Sequence, residues 1–136
     1  MTITLGSRSL QRFVGVHSDL VRVVHAAARA SNIDFTVLEG VRTLDRQKEL
    51  LAHHATTTLR SRHLTGHAVD LAPIIGGEVR WDWPLYYKLA GIIKAAADAE
   101  MVPLEWGGDW VKFKDGPHWQ LPWEEYPALP VTPPGA

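Results

Sequence analysis

The chain has 136 residues, a formal net charge of −1, 46% hydrophobic residues and no cysteine. That length and apolar content suit one domain with a real core, and the balanced charge gives no electrostatic footprint for nucleic acid. The lack of cysteine excludes disulfides, thiolate metal sites and thiol nucleophiles, so any metal must be held by His, Asp or Glu.

The N-terminal "MTITLGSRSLQRF" has no apolar run long enough for a secretory signal, and nothing approaches the roughly 18 apolar residues of a membrane span. The expectation is a protein made in the cytoplasm that does not insert into membranes. "HSDLVRVVHAAARASNI" predicts a helix, with Ser18 or Asp19 as cap and Leu20, Val24, Ala27 and Ala28 at helical spacing. "DFTVLEG" predicts a strand, being rich in β-branched and aromatic residues and ending in Gly. Thr43 is placed to cap a helix over "LDRQKELLAHHA", and "TTTLRSRH" reads as a polar loop or extended lead-in. "TGHAVDLAP" reads as a turn and a short strand closed by Pro73, and "GGEVRWDW" as a turn with a hairpin-like segment. Pro84 suits a first helical position, with Leu85, Leu89, Ile92, Ile93 and Ala96 on one face of the helix that follows. "PLEWGGDW" predicts a short strand into a Gly-Gly turn, and "GPHWQL" a final strand. Together these give an α+β fold: one small domain over residues 1–126, with a mainly antiparallel sheet and packed helices. Residues 127–136 form a Pro-rich tail.

The densest chemistry lies in "SRHLTGHAVDLAP", residues 61–73. His63 and Asp70 are an odd number of positions apart, so on one continuous strand they would face opposite ways. The chain must bend between them, and Thr65-Gly66 supplies the turn. Beyond it, Ala68 and Asp70 share one strand face, while His67, Val69 and Leu71 share the other. Val69 and Leu71 belong to the core, so His67 goes with them or caps the strand edge. His63 and Asp70 are therefore the candidate ligands, and small Ala68 leaves room beside Asp70. A catalytic zinc takes three protein ligands and keeps one position open. The best third ligand is His118 in "DGPHWQL", where Pro117 fixes the backbone and alternation sets His118 and Gln120 on one face. Asp115 precedes His118 across a Gly-Pro bend and can reach the same pocket as a general base. On spacing alone, the same residues also suit a polar loop.

At these residues the chain resembles a known family. "SRHLTGHAVDL" matches the Ser-x-His-x-x-Gly-x-Ala-x-Asp signature of the D-alanyl-D-alanine carboxypeptidase family of zinc peptidases. The chain is most similar to that family's phage endolysin branch, the L-alanyl-D-glutamate peptidases. The resemblance runs from the first helix through "EGVRTLDRQKELL" and the motif to "LEWGGDWVKFKDGPHWQL". It implies zinc on His63, Asp70 and His118, and a catalytic carboxylate at Asp115, where many relatives carry Glu. It implies that Arg42 holds substrate and stabilises the developing oxyanion, and that Gln47 and Ser61 line the pocket. The scaffold implied is the small one shared by lysostaphin-type peptidases, D-Ala-D-Ala peptidases and the hedgehog domain. The implied substrate is the peptidoglycan stem peptide, cut between L-Ala and D-Glu during lysis of a phage host, and the chain is expected to act as a monomer. The implied site of action is the periplasm or wall, reached through a pore made by another protein. Rival readings are a D-Ala-D-Ala carboxypeptidase or dipeptidase, and a non-catalytic zinc-dependent wall-binding module.

Other residues carry plainer expectations. Trp81, Trp83, Trp106 and Trp110 suit packing better than a substrate cleft. His53 and His54 suit a helix end, where a cation favours the dipole. Glu39 is placed to pair with Arg42 or a neighbour, and Glu105 and Asp109 suit structural pairing. His17 and His25 are given no function.

Overall fold

The computed structural model describes residues 3–53 and 61–127. It begins with a short helix, α1 (Ser7–Arg12), followed by α2 (Ser18–Ala30). Helix α2 buries Leu20, Val23, Val24, Ala27 and Ala28 along one stripe. Each Val or Leu buried in this way contributes about 1.5–3 kcal/mol. Its cap is neither Ser18 nor Asp19 but His17, whose Nδ1 accepts the Asp19 backbone N–H at 3.0 Å. Ser18 and Asp19 already lie inside the first turn, and Asp19 favours the helix dipole there.

Strand β1 (Asp34–Glu39) and helix α3 (Leu44–Ala52) follow, the latter capped by Thr43 as expected. His53 is the C-cap of α3, whereas His54 and the "TTTLR" stretch lie outside the described residues. At the start of the motif, Arg62–Thr65 forms a 3-10 turn ended by Gly66 at φ 77°. Only glycine fits there, because a Cβ on Gly66 would sit 2.2 Å from the Gly15 carbonyl oxygen. This is the bend the sequence required between His63 and Asp70.

Strand β2 (Ala68–Ile75) runs on through Pro73 instead of closing at it. The neighbouring backbone explains why. The Leu71 N–H points away from β1 to the Pro117 carbonyl, and the Pro73 carbonyl accepts the Arg80 N–H on that same side. The nitrogen of Pro73 therefore also faces away from β1, and its missing N–H leaves the Phe35 pairing intact. A Gly76-Gly77 turn leads to β3 (Glu78–Val79). Helix α4 (Trp83–Ala99) starts one residue before the expected proline, which places Pro84 at the second helical position. Its buried stripe is Tyr86, Leu89, Ala90, Ile93, Ala96 and Ala97. Two short strands, β4 (Glu105–Trp106) and β5 (His118–Gln120), complete the set, with a 3-10 turn at Gly107–Asp109 between them.

The sheet order is β1–β2–β5–β4, with β3 paired to the far end of β2 and every pairing antiparallel. Val69, Leu71, Trp119 and Leu121 join α2 and α4 in one apolar core. Asp70 lies on the opposite strand face, with the fully buried Ala68 and Ala72. The α+β architecture with a small antiparallel sheet is thus the one expected from the sequence. The Pro-rich tail from residue 128 lies outside the described residues.

Candidate metal centre

The sheet register brings the site together. Asp70 pairs with Glu39 of β1 on one side and with His118 of β5 on the other. The shift in register between Val37 and Glu39 re-aims the end of β1 toward this row. His63 enters from the 3-10 turn below Gly66. One ligand atom from each of His63, Asp70 and His118 lies within 4.8 Å of the others. Asp70 Oδ1 is 3.1 Å from His63 Nε2 and 3.5 Å from His118 Nδ1.

The outer nitrogens of both histidines are engaged elsewhere. His63 Nδ1 donates to the Gly40 carbonyl at 2.8 Å, which makes Nε2, facing Asp70, the nitrogen available to a metal. His118 Nε2 lies 2.8 Å from Gln120 Oε1, and Gln120 Nε2 donates to Glu105 Oε2 at 3.2 Å. That chain keeps a proton on His118 Nε2 and leaves Nδ1 turned toward Asp70. Two imidazole nitrogens and a carboxylate oxygen converge, a donor set that suits zinc once the inner nitrogens give up their protons. His67 stands apart. Its Nδ1 lies 2.7 Å from Thr65 Oγ1, and its ring faces His17 at 5.6 Å.

The charges are strongly coupled. Burial raises the Asp70 pKa, but hydrogen bonds from His118 and His63 outweigh it and hold the carboxyl below the usual range. Burial lowers His118, but its bond to Asp70 outweighs that and raises it. Asp115 is pushed up by burial and by the charge of Asp70, against the pull of His118, His63 and Arg42. Asp115 is thus brought into the field of the same cluster. Its backbone N–H donates to the Gly107 carbonyl, and its carbonyl accepts the His118 N–H at 3.2 Å.

Arg42 forms a two-pronged pair with Glu39 at 2.6 and 2.9 Å and donates to Gln47 Oε1 at 2.8 Å. Its Nη2 lies 3.8 Å from Asp70 Oδ2. Gln47 is fully buried and reaches the site through Arg42. The Ser61 hydroxyl accepts the His63 backbone N–H at 3.1 Å and so caps the turn that carries this histidine.

The tryptophans divide. Trp106 stacks on Trp119 inside the core, as packing predicts, while Trp110 sets its ring 5.0 Å from that of His118. Trp83 packs at the rim against Tyr86, Tyr87 and Trp106, while Trp81 is exposed. Asp109 pairs with Lys94 at 2.6 Å. Sequence reasoning gave no role to Gln120, although its alternation with His118 was the available signal. Glu105 was expected in structural pairing, but its partner could be named only from the register of β4 and β5.

A family model described as phage L-alanyl-D-glutamate peptidase matches residues 1–120. The L-alanyl-D-glutamate peptidase of Escherichia phage T5 is 30% identical over 115 residues, covering 81% of this chain and 83% of that protein. The enzyme of the same name from Listeria phage A118 is 35% identical over 99 residues, 73% of this chain but 34% of that longer protein. Among solved structures, the crystal structure of the Serratia marcescens L-Ala D-Glu endopeptidase ChiX is similar at a TM-score of 0.86 and 45% identity. The match covers 92% of this chain and 95% of that one. With this fold, this converging donor set and a match over nearly its whole length, the chain belongs to the phage L-alanyl-D-glutamate peptidase family.

Proposed function

We propose that the chain is a zinc endopeptidase that cuts peptidoglycan stem peptides between L-Ala and D-Glu. The observation that carries the reading is the tautomer lock. Gly40 and Gln120 hold the outer nitrogens of His63 and His118, so the inner pair converges with Asp70 on one point. In a family named for this bond, such a point suits a catalytic ion held by His63, Asp70 and His118. When bound there, zinc supplies a Lewis acid that polarises the scissile carbonyl and makes water acidic near neutral pH.

The remaining steps belong to the chain. Asp115 takes a proton from the attacking water and delivers it to the leaving amine. In the metal-free protein, burial and the charge of Asp70 raise its pKa. Arg42, steadied by Glu39 and Gln47, orients the substrate and offsets the negative charge that develops on the carbonyl oxygen. Ser61 and Gln47 support the pocket from behind, through His63 and Arg42.

The biology that fits is lysis of a bacterial host, with access to the wall opened by a separate pore-forming protein. Among the described residues no helix is long and apolar enough to cross a membrane. A D-Ala-D-Ala carboxypeptidase would use the same donor set. A wall-binding module would have no use for both Asp115 and Arg42. Mass spectrometry of digested muropeptides separates the three. Cleavage at L-Ala–D-Glu releases peptides beginning with D-Glu, and EDTA abolishes this until zinc is restored. Loss of terminal D-Ala alone, or no cleavage, contradicts the proposal.

A further inference from the structure

Among the described residues, the Tyr86 hydroxyl is one of two buried side-chain polar atoms that have no hydrogen-bond partner. Tyr86 sits in the first turn of α4, 5% exposed, with its ring in the apolar core. That ring packs against Gly116, the residue after Asp115. A Cβ on Gly116 would come within 2.9 Å of Tyr86 Cδ2 and 3.1 Å of its Cε2. The Gly116 carbonyl is pinned in turn by the Trp106 indole N–H at 2.7 Å. The Tyr86 ring therefore lies against the residue that follows Asp115. Burial, then the charges of Asp115, Asp70 and Asp82, push it up to about 12, so it keeps its proton and remains a donor.

A phenylalanine would fill the same space without burying an unsatisfied donor. Buried donors of this kind call for an explanation, and hydrogen bonds at reaction centres often tighten only when substrate is bound. We infer that Tyr86 is a positioning residue for Asp115: its hydroxyl donates to that carboxylate in the working enzyme and fixes its direction toward the reacting water. The inference rests on the reading of Asp115 as the base.

The test is Tyr86→Phe in the zinc-loaded protein, with kcat, KM, zinc content and Tm measured together. One hydrogen bond to a charged group corresponds to a loss of kcat of about tenfold to a hundredfold. KM and zinc content should not change, and Tm should stay equal or rise, because a desolvated donor has been removed. Unchanged kcat overturns the inference. So does a loss of kcat accompanied by a lower Tm, a raised KM or missing zinc, since those mark a structural role. Asp115→Asn separates the two readings. If it retains wild-type turnover, the base assignment fails and the Tyr86 inference falls with it. If it is inactive while Tyr86→Phe is fully active, only the Tyr86 inference fails. In the Asp115→Asn background, Tyr86→Phe should leave the residual rate unchanged, and a further tenfold loss there also overturns it.

Discussion

His118 is held at both ends of its ring. Gln120 takes the Nε2 proton, and Glu105 steadies Gln120 in turn. Partners of this kind typically change metal affinity 10- to 100-fold when removed. Gln120→Leu should therefore weaken zinc binding by about that factor while leaving the fold in place. Competition against a chromogenic chelator measures this, and an unchanged Kd would show that the lock contributes nothing. His118 also makes a pH prediction. Its pKa is raised in the metal-free protein, because the bond to Asp70 outweighs the effect of burial. A raised histidine keeps its proton through and above the ordinary imidazole range near 6.5, and a metal must displace that proton. Zinc binding at pH 6 should thus release a proton, and the apparent affinity should fall as pH drops. Calorimetry in two buffers of different ionisation heat reads the release directly, and a heat independent of buffer would contradict it. By the same linkage, the Asp70–His118 pair stabilises the metal-free fold fully only below the ordinary imidazole pKa. That contribution is lost as pH rises through the folded value.

The 3-10 turn Arg62–Thr65 joins the site to the C-terminal segment. Arg62, directly before a candidate ligand, is 1% exposed and donates to the carbonyls of Leu121, Pro122 and Tyr126, with Trp123 stacked 4.1 Å from its guanidinium. Arg62→Met keeps most of the volume but strands these carbonyls, at a cost of about 2–4 kcal/mol. Urea denaturation should show that loss, and a cost under about 0.5 kcal/mol would mean the segment is held by packing alone. This turn also shows where sequence reading stops. Strand alternation and Gly66 required a bend, and the bend is there. What Arg62 holds depends on a chain end some sixty positions away, which no local pattern contains. Helix α1 was missed for a related reason. Ser9 is its one buried residue, and it is anchored by that hydroxyl to Thr36 and to the Val37 N–H. It has no apolar stripe to read.

At the scale of the molecule, the sheet divides two tasks. One face carries Val69, Leu71 and Trp119 into the core, and the other presents Asp70 and His118 as cross-strand neighbours. Period-two alternation makes both faces legible, which is why His63, Asp70 and His118 separate from His67 in the sequence alone. Pro73 misled because its effect depends on which neighbour its nitrogen faces, and that is set by β1 and β3 together. The substrate came from resemblance to relatives, since alternation and spacing describe a donor set and not the peptide it meets. The central claim is that three residues hold the ion while Asp115 performs the proton transfer. The most direct test is to measure bound zinc and muropeptide turnover in the Asp115→Asn variant. One zinc per chain, with turnover reduced at least a hundredfold, is the expected result. Wild-type turnover, or a protein stripped of its zinc, would contradict it.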